Sequence, residues 1–358
     1  MSETKGTRRQ RNAPTISDVA TRAGVSPMTV SRVINGESNV RAETRKRVEA
    51  AIKALDYSPS SAARTLAGGE EIRIGLLHSN PSFTFLSEYL VGSLDQASRL
   101  NVQLIVEKCD DENEEESAIA HLMRTRLDGI ILTPPLSESL AVMEAVHQRN
   151  IPVVAVATGR APDWALSVSI NDHAAAYEMT RHLAALGHTR IGFIGGNPRQ
   201  TASEERFQGY KDALRDSGLA DAPELVAPGL FTYRSGLDAA EQLLELDTPP
   251  SAIFASNDDM AAATVAIAHR RGLDVPGDLT VCGFDDTALA TTIWPELTTI
   301  RQPVFEMSRT AVDLLVKEIR ARNATGKALH HPHVMAEYKL IRRQSDAAPR
   351  RRPSAQRR

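Results

Sequence analysis

Apolar positions near the start of the chain repeat at helical spacing. Ile16, Val19, Ala20 and Ala23 fall on one face of a short helix, Val30, Val33 and Ile34 mark a second, and Val48, Ile52 and Leu55 a third. Gly24-Val25-Ser26 separates the first two. Gly24 can take the left-handed conformation a tight helix–helix turn demands, and Val25 plugs the small core. Ser26 is a good N-cap, and Pro27 suits the first helical position, where its missing N–H would go unbonded anyway. Tyr57-Ser58-Pro59 stops the third helix. Residues 60–67 then predict just over two turns of helix, closed by Gly68-Gly69. A helix that short is marginal alone and is expected to fold only when docked on a partner.

From Ile72 onward the period changes. Short apolar runs at 72–77, 102–106, 129–133, 153–157, 191–195, 252–255, 279–284 and 297–300 predict strands. Helical stretches alternate with them. Residues 85–100 are expected to place Leu86, Leu90 and Leu94 on one face, and 174–186 align Ala175, Met179, Leu183 and Leu186. Such alternation argues an α/β fold, a parallel sheet covered on both faces. The units are too many for one sheet, so two similar doubly wound lobes are expected. A ligand would lie at the strands' carboxyl ends, in the crevice between them.

Two short helices around a glycine turn have the layout of a helix-turn-helix, whose second helix enters the DNA major groove. Ser26, Pro27, Met28, Thr29, Ser31, Arg32 and Asn35 lie at or near its outward face, with Thr15 at the start of the first helix. Arg32 can give guanine two hydrogen bonds, whereas Pro27 and Met28 offer apolar and shape contacts. Through Leu66 there are twelve Lys or Arg against six Asp or Glu, about +6 in a chain whose total is −3. That asymmetry is the footprint of a phosphate-binding surface. A small bundle with an ordinary solvated basic face is the plainer alternative. Leu66, exposed and apolar, fits a minor-groove wedge.

TISDVA, AGVS, TVSRVIN, the TR..V..A...L.Y.P pattern and the A-x-x-L of the short helix, Ala63 to Leu66, closely resemble the lactose-repressor/galactose-repressor family of bacterial transcription factors. The likeness runs from about Pro14 to Ser345. It implies an all-α helix-turn-helix headpiece and a two-lobed type I periplasmic-binding-protein-like core. It also implies a homodimer on a pseudo-palindromic double-stranded operator, with paired hinge helices and Leu66 opening the central step. On this reading residues 1–13 are a disordered basic arm, 14–59 the headpiece and 60–70 the hinge. The core is 71–345: lobe 1 about 71–168 and 303–331, lobe 2 about 169–302 and 332–345. The chain crosses near Ser169, Gln302 and 331–333, and 346–358 is a disordered Arg-rich tail. Pro27-Met28 stands at the family's specificity-setting positions, and Arg41 replaces the small polar cap usual before the third helix.

Candidate effector contacts sit at strand ends. They are Ser79 and Asn80, Arg206 in the family's R-x-x-G-[YW] segment, Phe231, Asn257, Asp258, Asp285 and Gln302. Arginine, amides and carboxylates with one aromatic suit a polyhydroxylated ring. Arg206 as a surface ion pair is the plainer alternative. Asp258 serves equally as helix cap; Phe231 reads as site wall rather than core, and Phe83 and Phe85 as core or cleft mouth. After 152–156, where many sugar-binding members have an acid, the chain reads Ala157-Thr158-Gly159-Arg160. Arg160 leaves room for an anionic ligand. Trp294 reads as interface or packing, His188 as packing.

Cys109 and Cys282 have no metal or redox spacing, and no cofactor is expected. No apolar run reaches membrane length, and MSETKGTRRQRN reads as a polar arm, not a signal peptide, so a cytoplasmic location is expected. The acidic run 110–116 reads as a solvated loop and helix start. The arginines from Arg342 onward could add non-specific DNA affinity through counterion release, but a passive tail is the better reading. Leucine heptads for tetramer formation have no counterpart, since no leucine follows Leu340; a dimer is expected. An exported solute-binding protein would share the core, but not the basic head. An enzyme is disfavoured: 192–196 lacks G-x-G-x-x-G spacing, and neither a Walker loop nor a nucleophile elbow occurs.

Overall fold

The structure, a computed structural model, describes residues 14–34, 40–57, 72–79, 82–109, 115–328 and 333–350. The chain divides into two units, 1–71 and 72–358.

In the first unit α1 (Ile16–Ala23), α2 (Pro27–Ile34) and α3 (Ala42–Leu55) follow the predicted periodicity. Thr15 and Asp18 form a reciprocal capping box at α1: Asp18 N–H donates to Thr15 Oγ1 at 3.3 Å and Thr15 N–H to Asp18 Oδ2 at 2.7 Å. The Thr15 hydroxyl, then its backbone N–H, hold the Asp18 carboxyl below its ordinary range. Gly24 ends α1 at φ 65°, its N–H returning to the Ala20 and Thr21 carbonyls. Ser26 Oγ accepts the Thr29 N–H at 3.2 Å. Arg41 precedes α3 without a side-chain cap bond, as its side chain has no acceptor to offer. Val19, Ala20, Ala23, Val30, Val33, Val48 and Ala51 form the core with Tyr57, which the sequence reading treated only as part of a helix stop.

The second unit holds twelve strands among its described residues. In chain order they are β1 (Arg73–His78), β2 (Gln103–Lys108), β3 (Gly129–Leu132), β4 (Val153–Val156), β5 (Leu166–Ser169) and β6 (Ile191–Ile194), then β7 (Val226–Ala227), β8 (Ala252–Ala255), β9 (Thr280–Asp285), β10 (Thr298–Arg301), β11 (His333–Met335) and β12 (Lys339–Ile341). Its helices are α4 (Phe83–Leu100), α5 (Glu115–Arg124), α6 (Leu140–Gln148), α7 (Asp172–Ala185), α8 (Thr201–Asp216), α9 (Tyr233–Leu244), α10 (Asp258–Arg270), α11 (Leu289–Thr292) and α12 (Val304–Thr325).

The strands build two sheets, ordered β11-β5-β4-β3-β1-β2 and β12-β10-β9-β8-β6-β7. Both are parallel except for β12, antiparallel to β10. β2-β1-β3-β4-β5 and β7-β6-β8-β9-β10 wind alike, giving two similar lobes whose sheets reverse order at one point each, where the doubly wound fold opens a crevice. The strands β3, β4, β8 and β9 are buried along their length and β1 over most of it, as near-continuous apolar runs require.

Three expectations need correction. The third crossing falls at 336–338, after β11, because His333–Met335 pairs in parallel with Ser167–Ser169 of the first lobe. This short edge strand is held by main-chain bonds, with His333 and Met335 exposed, so no apolar run announces it. The buried face of α4 is Phe85, Leu86, Tyr89, Gly92, Ser93 and Ala97. Leu94 points outward with Phe83 and Val91, because Gly92 lets α4 lie close against Phe305 and Ser308 of α12. Residues 346–350 are packed, not disordered: buried Asp346 lies 2.8 Å from His182 Nε2, and the Ala347 carbonyl takes His188 Nε2 at 2.8 Å. Residues 351–358 lie outside the described residues. Trp294 is 74% exposed, which removes packing as its role.

Replacing Thr15 with Ala removes one half of the capping box and is expected to lower the stability of the first unit by about 1 kcal/mol. Calorimetry of the full chain, with the transition of the first unit resolved, checks this.

Candidate functional site

A narrow cleft lies between the lobes, enclosing a cavity of about 40 Å3. The first lobe lends Ser82 and Phe85 at the start of α4, Pro134 beyond β3 and Ala157 beyond β4. The second lends Gln200, Ala202 and Arg206 around the start of α8, with Phe231, Asn257, Asp285 and Gln302 at or beyond the ends of β7 to β10. This is the place a doubly wound sheet offers a ligand.

Arg206 is the best-anchored side chain of the wall and no surface ion pair. Its Nε donates to Asp172 Oδ1 at 2.7 Å and Nη1 to the Ser256 carbonyl at 2.5 Å. The guanidinium stacks 3.6 Å from the Phe284 ring centroid, with Phe231 at 5.6 Å. Burial pushes the Asp172 carboxyl up, and Arg206 opposes it. Asp285 Oδ1 stands 4.0 Å from Arg206 and accepts from Gln302 Nε2 at 2.6 Å. Burial raises the Asp285 carboxyl to about 7, against the pull of Arg206 and Gln302.

Asn257 caps α10, its Oδ1 accepting the Met260 N–H at 3.0 Å, and its Nδ2 donates to the Phe231 carbonyl at 3.0 Å. That bond fixes Phe231 at φ 60°, one of three wall residues in the left-handed region with Ala157 (50°) and Asp285 (108°). Such backbone clusters at functional sites. Phe231 is wall and core at once, and Phe85 is wall while Phe83 is 82% exposed.

Five sequence-selected residues therefore meet: Arg206, Phe231, Asn257, Asp285 and Gln302. Asp258 does not join them. Its carboxylate accepts from Thr287 N–H at 2.8 Å and Thr299 Oγ1 at 2.7 Å, locking the turn after β9 onto α10. Burial, then the Asp285 charge, lift its pKa well above the ordinary range. The capping role falls to its neighbour Asn257. Ser79 is half-buried and away from the wall, and Asn80 lies outside the described residues. Arg160 is exposed and paired with Glu204. Ser82, Pro134, Gln200 and Ala202 also line the cavity; Pro134 follows β3 closely, whereas Gln200 and Ala202 sit at the start of α8, where the sequence carries no signal for a site. Gln200 Nε2 is buried with no hydrogen-bond partner among the described residues.

On the first unit, Pro27, Met28 and Arg32 are exposed, Thr29 and Ser31 half-buried. The Thr15 hydroxyl is held by Asp18 at 2.7 Å, and Ser26 and Thr29 pair their hydroxyls at 2.9 Å. Asn35, Ala63 and Leu66 lie outside the described residues. His188 is buried between Ser251 and the Ala347 carbonyl, a packing role. Among the described residues no cluster of metal-ligating side chains occurs, and no helix is long and apolar enough to cross a membrane.

Asp285 gives a signed pH prediction. The folded carboxyl keeps its proton to about pH 7, whereas an ordinary one releases it near 3.8. Stability from this group therefore falls as pH rises between those values. Asp285→Asn is expected to gain on the parent chain as pH climbs from 5 to 8 in parallel thermal melts; a gap that stays constant or shrinks contradicts it.

Residues 15–60 match the model of bacterial regulatory proteins, lacI family, and 180–345 that of a periplasmic binding protein-like domain. Catabolite control protein A of Priestia megaterium is 34% identical over 322 residues, 89% of this chain and 96% of that protein. A transcriptional regulator CelR–cellobiose complex is 30% identical with TM-score 0.69, covering 93% of this chain and 100% of that one. A lac repressor dimer bound to operator and the anti-inducer ONPF is 27% identical with TM-score 0.74, covering 94% and 100%. These relatives are regulators, not enzymes. With a helix-turn-helix unit ahead of a two-lobed core, the chain belongs to the lacI family of DNA-binding transcriptional regulators.

Proposed function

We propose that the chain is a homodimeric repressor of genes for carbohydrate uptake or catabolism. Its operator affinity is set by a small sugar-like effector held between the lobes. The observation that carries this reading is the cavity wall. Arg206, Asn257, Asp285, Gln302 and the unpartnered Gln200 amide converge there beside Phe85 and Phe231. Forked donors and acceptors next to aromatic faces match the alternating hydroxyl edge and C–H face of a sugar ring.

Charge favours a neutral ligand over an anionic metabolite. Arg206 already faces Asp172 and Asp285, and Arg160 spends its charge on Glu204. The cellobiose complex among the relatives supports the same class.

For the operator, the exposed Pro27, Met28 and Arg32 offer one bidentate donor and an apolar edge to the major groove. Ser26, Thr29, Ser31 and Asn35 would fix the reading helix, Thr15 its neighbour, and residues 60–70, with Ala63 and Leu66, would be the hinge that folds on DNA. Such a protein works in the bacterial cytoplasm, beside its DNA. Phe83, Val91 and Leu94 on α4 leave an apolar stripe exposed, which a second copy would cover. The lac repressor relative is a dimer.

A thermal-shift screen of neutral carbohydrates should find a compound that raises the melting temperature by mass action. Footprinting should then show two symmetric half-sites whose protection responds to it. Failure of both sinks the reading. Light scattering at micromolar concentration is expected to give a dimer mass, and a tetramer contradicts it. Leu66→Ala should weaken operator binding roughly tenfold or more by removing the wedge. Calorimetric affinity for the effector should stay nearly unchanged.

A further inference from the structure

Two carboxylates reach across from one lobe to the other beside the cavity, and each ends at the start of a helix. Glu138 closes the 3-10 turn Leu136–Glu138 in the first lobe. Its Oε2 accepts the Thr201 N–H at 2.7 Å, and Oε1 accepts the Thr201 hydroxyl. Thr201 is the first residue of α8 in the second lobe, and Gln200 before it makes no side-chain cap bond. The first N–H groups of a helix need acceptors from outside it, and α8 takes one from the opposite lobe. Thr201 Oγ1 also accepts the Gly159 N–H of the first lobe at 2.9 Å.

The second contact runs the other way. Asp259 lies in the first turn of α10 in the second lobe. Its Oδ2 accepts from Ser82 Oγ at 2.5 Å and Thr84 Oγ1 at 3.2 Å in the first lobe. Ser82 is the N-cap of α4, accepting the Phe85 N–H at 3.4 Å. The anion therefore faces the positive ends of two helices, one from each lobe. Ser82 and Phe85 also line the cavity, as does Arg206 further along α8.

We propose that Glu138 and Asp259 are inter-lobe latches, Glu138 supplying the start of α8 with an acceptor across the cleft and Asp259 holding the cap hydroxyl of α4. Closure of the lobes and ordering of the first turn of α8, which leads into Arg206, are then one event. These are positioning residues, and their action requires neither an operator nor an identified effector.

Amide hydrogen exchange on the full chain, without DNA or carbohydrate, tests it. Glu138→Ala is expected to speed exchange at 201–205 about fivefold or more, the size of a lost cap, and to leave β6 and β8 unchanged. Asp259→Asn, whose hydroxyl partners both lie at the start of α4, should speed exchange there and also at 201–205. Unchanged exchange at 201–205 in Glu138→Ala overturns the proposal. So does an Asp259→Asn effect confined to α4, or acceleration spread evenly through β6 and β8, which marks a merely structural role. If Glu138→Ala does not fold, Glu138→Leu carries the test, since it fills the same space and removes both acceptors. Acceleration confined to 201–205 then supports the latch, and none refutes it.

Discussion

The cavity is organised around one buried cation. A guanidinium cannot shed its charge, so burying it demands acceptors around its edge and a surface against its face. Arg206 finds them on three separate elements: Asp172 at the start of α7, the carbonyl of Ser256 after β8, and the ring of Phe284 in β9. Removing one partner of such a set would leave an uncompensated charge, at a cost of about 3–5 kcal/mol. The carboxyl ends of the second lobe's strands are thereby held in register with α8. Asp285 is the counterpoint. A second carboxylate near one already paired guanidinium is poorly compensated, which is why burial wins and its pKa rises.

Much of this was legible in the sequence where a residue's local chemistry dictates its conformation. Gly24, Ser26 and Pro27 specify a turn and a cap within four residues, and the structure forms both. The long apolar runs gave most central strands of each sheet, since a strand buried on both faces tends to be apolar throughout, but β5, Leu-Ser-Val-Ser, escaped although all four residues are buried, because its two serines break the run. Three of the four edge strands escaped, while β2 was legible from its run at 102–106. β7 has two residues, while β11 and β12 show mixed exposure, so nothing in their composition distinguishes them from loops.

The site divides similarly. Arg206, Asn257, Asp285 and Gln302 stand out because polar residues directly after apolar strands need a reason to be there. Asp258 met the same criterion and proved structural, because Thr287 and Thr299, distant in sequence, supply its hydroxyl partners. Glu138 and Asp259 carried no signal, since a lone carboxylate on a helix start is ordinary until its partner is known. Leu94 was misplaced because helical period gives a face but not its direction. Which face of α4 turns inward is decided by the small residue at Gly92, and only packing against α12 reveals that.

The two sides of the cavity differ in what holds them. Phe231 and Asp285 keep left-handed backbone at non-glycine residues, each at about 1–3 kcal/mol. Such conformations persist only where the surroundings over-determine them. Here the second lobe does so by itself, through Asn257 Nδ2 on the Phe231 carbonyl and the Gln302 backbone N–H on the Asp285 carbonyl. That wall is preformed, and a ligand meeting it has little to reorder. The start of α8 is different, since its acceptors, Glu138 Oε1 and Oε2, come from the facing lobe. A helix whose cap belongs to another body is ordered only when the two bodies meet. On the proposed reading, a rigid recognising wall beside an edge that depends on closure is what would turn binding into a change of state, because a ligand shifts a conformational equilibrium only by its preference for one of the two arrangements.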